Sequence, residues 1–298
     1  MTTSPAGSAA PRPLTGLVRA MRPRQWTKNV LVLAPLLPAG DALADADLLG
    51  VLVTLVSFCL MSSGVYLVND ARDVEADREH PVKRFRPIAA GDLSARTAVV
   101  AAVLLFVVSL GLALAVDRDV LAVMAVYLGI QMAYCFGMKH EPVLELAAVA
   151  SGFLLRALAG GLAAGLELSQ WFLLTTAFGS LFMAAGKRYG EARMGELTGA
   201  TVRRVVQRYT QAYLRFVWTA AATIVIMTYS LWSFEVSQAE GSLVSVISVV
   251  PFVLAIFRFA VDVDAGTAEE PDEIVLHDRV LLVLGVLWAV SLAAAVYL

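Results

Sequence analysis

Long apolar runs recur along this chain, and they decide what it can fold into. They occupy roughly 27–40, 48–68, 95–116, 120–138, 142–164, 170–186, 212–234, 242–261 and 280–298. Most reach the roughly 20 residues that carry a helix across the hydrocarbon core of a bilayer. A chain that is 59% hydrophobic and 16% charged, with mean hydropathy +0.73, lies outside the soluble range. The expectation is an all-α, polytopic membrane protein of about nine transmembrane helices, with one domain over residues 14–298 and a polar, Pro-rich, disordered N-terminus over 1–13. The first run is short and contains Pro35 and Pro38, so it either extends back through Trp26 or is tilted and kinked. No small-residue cleavage site closes a short apolar run near the N-terminus, so no signal peptide is expected. Leu14 to Lys28 mixes Arg19, Arg22, Arg24 and Lys28 with Leu17, Val18, Met21 and Trp26, a pattern that reads as an amphipathic helix on an anionic membrane face. Cys59 and Cys135 fall inside apolar runs and read as packing residues, with no disulfide or metal pattern.

Charge placement orients the chain. If the N-terminus is cytoplasmic and the runs alternate, only Arg118 of the 23 Lys and Arg falls outside and only Arg156 within a span. The positive-inside rule then places the two long polar connections, after the second and sixth runs, in the cytoplasm. This implies a plasma-membrane protein whose chemistry faces inward.

The first of these connections is the densest. Asn69, Asp73 and Asp77 are spaced one helical turn apart, at about 100° per residue, which puts three oxygen-bearing side chains on one face. Mg²⁺ favours one or two carboxylates completed by water and phosphate oxygens. Lys83, Arg84 and Arg86 follow and suit neutralisation of phosphates. The bland alternative is a solvated loop between two helices. Regular acidic spacing directly beside a membrane-grade run argues against it.

The second connection reads Gly186-Lys187-Arg188-Tyr189-Gly190-Glu191 and onward. A basic pair suits a phosphate held without metal, with Lys187, Arg188 and Glu191 nearest the span end. Arg203, Arg204 and Arg208 read as anchoring charges. Arg156 lies mid-span, where a charge must face the bundle interior or a water-filled cavity. It either contacts a lipid phosphate or locks a neighbouring helix. Glu145 shares its stripe but lies too far along the axis to pair with it. Tyr134, Lys139 and His140 line the expected cavity mouth, with His140 read as exposed. The acidic stretch 262–279 is either a lid or a connector.

Asn69, Asp70, Asp73 and Asp77 match N-D-x-x-D-x-x-x-D in every defined position. In its place after the second helix, that motif resembles the UbiA-type superfamily of intramembrane prenyltransferases. The resemblance covers nearly the whole chain. It implies a nine-helix bundle whose cytoplasmic-facing cavity opens laterally to lipid. Members that use prenyl diphosphates carry a second aspartate-rich motif after the sixth helix, and here Lys187-Arg188-Tyr189-Gly190-Glu191 stands instead. Together with Arg22-Pro23-Arg24-Gln25-Trp26-Thr27-Lys28-Asn29 and the Asn69–Pro87 block, this departure resembles a particular branch. That branch transfers 5-phosphoribose from 5-phosphoribosyl 1-diphosphate to decaprenyl (polyprenyl) phosphate, for cell-wall arabinan precursors.

The implied roles follow residue by residue. Asn69, Asp73 and Asp77 hold Mg²⁺, with Asp73 and Asp77 catalytic, and Asp70 orients a metal-bound water or caps the helix. Lys83, Arg84, Lys187 and Arg188 hold donor phosphates. Arg24 and Lys28 sit at the inner face for the acceptor phosphate or the donor. Tyr134, Glu191 and Arg156 complete the substrate-binding set. The attacking lipid phosphate is already ionised, so no general base is needed. Positive charge builds on the ribose ring as diphosphate leaves, as in other glycosyl transfers. The expected partners are the two substrates and membrane lipids, with no nucleic acid. A homo-oligomer, a trimer among the options, suits the shape, but no residue establishes it.

Two other readings compete. A prenyl-diphosphate-dependent aromatic prenyltransferase would need the acidic second motif. A lipid transporter or flippase has only Arg156 and Glu145 in its support. A CDP-alcohol phosphotransferase is set aside, because its aspartate spacing is missing.

Overall fold

A computed structural model describes residues 13–199, 205–240, 243–265 and 278–297; these form helices and connections, with no strand among the described residues. The helices are α1 (Pro13–Ala20), α2 (Leu48–Arg72), α3 (Val74–Glu79), α4 (Ala95–Val116), α5 (Arg118–Phe136), α6 (Leu144–Ala164), α7 (Gln170–Thr198), α8 (Gln211–Glu240), α9 (Val244–Ala265) and α10 (Arg279–Tyr297). A 3₁₀ helix over Pro23–Leu36 takes up most of the first apolar run and does extend back through Trp26. Each other run lies on one of the long helices. Seven of them (α2, α4, α5, α6, α8, α9 and α10) are long and apolar enough to cross a membrane. The chain is a multi-pass membrane protein.

Side chains at the N-termini set several helix starts. Asp47, Ser94, Asp117 and Ser169 each accept a backbone N–H from the first turn that follows, satisfying donors that the helix itself leaves unpaired. α6 ends at Gly165, which takes the left-handed conformation (φ 70°) that glycine adopts without a steric penalty.

The expected amphipathic helix over 14–28 is corrected. α1 stops at Ala20, and Arg22 adopts φ 54°, ψ 60° before Pro23 opens the 3₁₀ helix. A residue preceding proline is pushed away from the right-handed helical region. The disordered-tail expectation falls on residues 1–12, outside the described residues, while Pro13 opens α1. The expected loop at Gly186–Glu196 is also corrected, because α7 continues through it to Thr198.

Helix α6 is the spine of the bundle, packing on the 3₁₀ helix, α2, α5 and α7. Its approach to the 3₁₀ helix is so close that a Cβ at Gly160 would lie 1.8 Å from the Val32 carbonyl oxygen. One apolar core gathers Phe58, Met61, Met124 and Tyr127 from α2 and α5 against α6. A second joins Phe182, Tyr189, Trp218 and Phe259 from α7, α8 and α9. The seam between the two lies along α6 and α7.

Candidate active site

The acidic motif sits where α2 gives way to α3. Asp73, at φ −91° and ψ 12°, closes one helix and opens the next. The i→i+4 ladder survives the break: Asp73 N–H donates to Asn69 O at 3.0 Å, and Asp77 N–H to Asp73 O at 2.8 Å. The one-turn spacing expected from sequence is therefore real, but the side chains do not converge on one point. Lys139 Nζ donates to both Asp73 carboxylate oxygens at 2.6 Å and to Asn69 Oδ1 at 3.3 Å. Arg86 Nη1 bridges Asp77 Oδ2 at 2.7 Å and Asp70 Oδ1 at 3.1 Å. Arg22 Nη2 lies 2.6 Å from both Asp70 oxygens, and its guanidinium sits over the Tyr66 ring.

The expected triad is thus divided. Asn69 and Asp73 share one cation, while Asp77 and Asp70 share another. Asp70 neither caps a helix nor faces open water; it is buried as the anchor of two arginines. Its grip on Arg22 offsets the left-handed backbone there, a conformation that costs a non-glycine residue about 1–3 kcal/mol.

Lys139 is itself held in place. It belongs to a short 3₁₀ turn, Met138–His140, after α5. Arg208 donates to the His140 carbonyl oxygen at 2.8 Å and pairs with Glu141 at 3.2 Å. The Tyr209 hydroxyl accepts the Val143 N–H at 2.8 Å, at a residue whose φ is 69°. A β-branched residue seldom takes that conformation, and the anchor from beyond α7 keeps it there. Arg208 thus contributes a specific contact beyond membrane anchoring, and His140 is exposed as expected.

The other expected site residues separate into two groups. Arg24 (exposed) and Lys28 (half-buried) follow Arg22 on the 3₁₀ helix at the motif's end of the bundle. Lys83 is half-buried and Arg84 exposed on a 3₁₀ turn of their own, with the Arg84 guanidinium over the Phe85 ring. Tyr134, half-buried, lies near the end of α5. All of these are exposed or half-buried.

Arg188 is not. Its Nε and Nη2 donate to Glu145 Oε1 and Oε2 at 2.9 and 3.0 Å, and its Nη1 to Glu191 at 3.1 Å. Its charge is spent inside the bundle, and Glu191 acts as its second counterion. Lys187, one position earlier, is half-buried on α7. Arg156 resolves in favour of helix locking: its Nε donates to Asn29 Oδ1 at 2.7 Å, Nη1 to Gly152 O at 2.7 Å and Nη2 to the Tyr127 hydroxyl at 3.0 Å. The rings of Phe58, Tyr127 and Phe153 surround the guanidinium. It ties α6 to the 3₁₀ helix and α5 and leaves no free fork for a substrate.

Sequence reasoning treated Arg22 as a surface charge and Lys139 as a lining residue. That three acids at a membrane edge require counter-charges was legible, as was a turn at Arg22 before a proline, but not which cation pairs with which acid. Two cavities of about 630 and 410 Å³ lie elsewhere, one along α8 around Arg215 and Phe216, the other around Pro38, Glu167 and Trp232.

No group of three His, Cys, Asp or Glu suited to a metal ion occurs among the described residues. The donor set still fits Mg²⁺. The Lys139 ammonium stands where Asn69 and Asp73 oxygens converge, and Mg²⁺ needs only one or two protein carboxylates when phosphates complete its shell.

The sequence pattern of the UbiA prenyltransferase family matches residues 32–279. The chain belongs to this family. Three relatives share the name decaprenyl-phosphate phosphoribosyltransferase. The one from Corynebacterium glutamicum is 55% identical over 289 residues, covering 95% of this chain and 87% of the relative. Those from Mycolicibacterium smegmatis and Mycobacterium tuberculosis are 51% and 53% identical, with 93% and 95% of their lengths covered and 95% of this chain in each case. The chain is accordingly an enzyme, a transferase. Its fold is that of a UbiA homologue from Archaeoglobus fulgidus solved with dimethylallyl diphosphate and Mg²⁺, at TM-score 0.70 and 18% identity, covering 94% of this chain and 97% of that one.

Proposed function

We propose that this enzyme transfers 5-phosphoribose from 5-phosphoribosyl 1-diphosphate to a polyprenyl phosphate, decaprenyl phosphate in the first instance, and releases diphosphate. The observation that carries this reading is the 51–55% identity, along nearly the whole chain, to three decaprenyl-phosphate phosphoribosyltransferases. The geometry supports it. One end of the bundle carries an acidic motif suited to a single metal-bound diphosphate. Where a second such motif would stand, Arg188 is committed to Glu145.

Asn69 and Asp73, joined by Asp77, would hold Mg²⁺. When bound, the ion neutralises and polarises the leaving diphosphate. The chain's cations do the rest of the positioning. Lys139 and Arg86, which pair with the motif, and Lys83 and Arg84, which follow it in the chain, supply charge to the donor's phosphates as the C1–O bond to diphosphate breaks. Arg24 and Lys28 hold the lipid phosphate, whose oxygen forms the new bond to C1. In-line attack inverts C1. Water exclusion follows from the apolar bundle, where the first isoprene units lie. The Lys and Arg distribution supports a plasma-membrane enzyme with this site on the cytoplasmic face.

The test is an assay of purified protein with radiolabelled phosphoribosyl diphosphate, decaprenyl phosphate and Mg²⁺, with and without EDTA. A labelled lipid that retains the 5-phosphate and requires the metal is expected. No labelled lipid from folded protein, with turnover of a prenyl diphosphate and an aromatic acid instead, would overturn the proposal.

A further inference from the structure

The acidic motif is charge-balanced by the chain itself. Three carboxylates, Asp70, Asp73 and Asp77, meet three cations, Arg22, Arg86 and Lys139, with every ion pair at 3.1 Å or less. Asp70 and Asp77 are buried, so bulk salt screens these pairs far less than it screens surface pairs. The cations are not held alike. Arg22 is locked on Asp70, which also takes Arg86. Lys139 is a compact ammonium on a flexible stem, and it pairs with Asp73, the most exposed of the three carboxylates at 28% against 2% for Asp70 and 5% for Asp77. It also occupies the point that the Asn69 and Asp73 oxygens share.

A divalent ion arriving alone meets an unfavourable balance. Either it adds two positive charges beside a neutral cluster, or it expels Lys139, which then has no counterion. A diphosphate changes the sum, because it brings the negative charge that the displaced ammonium and guanidinium need. Resting on the phosphoribosyl reading above, we propose that Lys139 and Arg86 are exchangeable counterions. They keep Asp73 and Asp77 from a lone divalent ion and pass to the phosphates when ion and diphosphate arrive together. Metal and diphosphate are then strongly cooperative ligands, and by linkage each raises the affinity of the other by the same factor.

Equilibrium dialysis of the detergent-solubilised full chain tests this, with radioactive Mn²⁺ as probe and pyrophosphate or phosphoribosyl diphosphate in both compartments. Wild type is expected to bind Mn²⁺ at least about tenfold more tightly with either diphosphate than without, within the usual range of coupling between sites. Lys139→Met should bind Mn²⁺ alone about thirtyfold more tightly than wild type, the scale on which a unit charge acts on a divalent ion across a few ångströms of water-like dielectric. Lys139→Arg keeps the charge and should keep the weak binding. If Lys139→Met does not fold, Lys139→Gln, which also removes the charge but keeps a polar group beside Asp73, takes its place with the same expected outcome. Equal Mn²⁺ affinity with and without diphosphate, while the donor still binds, overturns the inference and leaves the proposed reaction standing. Failure of both diphosphates to bind at any Mn²⁺ concentration removes the reaction and the inference together.

Discussion

Removing Arg188 should unfold this protein before it affects donor binding. Arg188 and Glu145 form a two-point ion pair between α7 and α6, with side chains 7% and 0% exposed. Arg188→Met leaves the Glu145 carboxylate in the bundle without a partner, and breaking a buried pair from one side costs roughly 3–5 kcal/mol. Glu145→Leu should cost less, because Arg188 keeps Glu191 at 3.1 Å. The double variant leaves no orphaned charge between the two helices and should recover at least half of the Arg188→Met loss, since apolar replacement of both members of a buried pair is often near neutral. A double-mutant cycle on equilibrium unfolding in detergent measures this directly, with a coupling of several kcal/mol expected in the sense that the second substitution repairs the first. Donor KM is read in parallel. If Arg188→Met unfolds like wild type and raises only the KM for the donor, the ion pair is incidental and Arg188 returns to the phosphate ligands.

Three further outcomes follow from the geometry. Asp73→Ala and Asp77→Ala should each abolish turnover while the protein stays folded and monodisperse; activity retained in both would remove the metal assignment. Gly160→Ala places a methyl group on the Val32 carbonyl oxygen, at 1.8 Å if nothing moves, so a loss of about 1–3 kcal/mol or more is expected from overpacking, seen as a lower unfolding midpoint. A wild-type midpoint would mean that α6 and the 3₁₀ helix separate freely. His80 Nδ1 accepts the Val82 and Lys83 N–H groups at 3.2 and 3.3 Å, and burial, then the charge of Lys83, hold its pKa below the ordinary 6.5. The folded protein thus binds this proton less tightly than the unfolded chain. The contribution is complete above pH 6.5 and is lost as pH falls through the lowered folded value. Unfolding titrations of wild type and His80→Gln should diverge only on that acidic side, and parallel curves would refute the assignment.

What could be read from sequence was whatever depends on local pattern. Apolar run length gave the helices, because hydrocarbon requires each run to satisfy its own backbone. The one-turn spacing of Asn69, Asp73 and Asp77 also survives, because it is a property of one segment. The continuation of α7 past Lys187 was missed because charge density reads as a loop, whereas Arg188 pairs inward on Glu145 and Tyr189 is fully buried against Trp218. The partners of the acidic motif were beyond reach for a different reason. Lys139 lies 66 residues from Asp73, and Arg22 lies 48 residues before Asp70, and one sequence contains nothing that pairs such positions. Arg156 shows the intermediate case: its place mid-span was legible, but only Asn29 and Tyr127 decide between lipid contact and helix lock.

The two charge clusters use the same ingredients, carboxylates against guanidinium or ammonium groups, yet burial gives them opposite roles. On α6 and α7 the Glu145–Arg188 pair is closed to solvent. Exchanging either partner for a ligand would strand a charge in the bundle, so this pair fixes structure. At the α2–α3 break Asp73 remains accessible and its counterion sits on a flexible stem, so a metal ion arriving with a diphosphate can take the place of Lys139 while the diphosphate gives the displaced ammonium a new partner. A transferase whose donor carries one metal-bound diphosphate requires one exchangeable cluster, and a second would only trap ions. Under the proposed reaction no second acidic motif is needed at Lys187–Glu191, and α7 instead holds its place against α6 through Arg188 on Glu145.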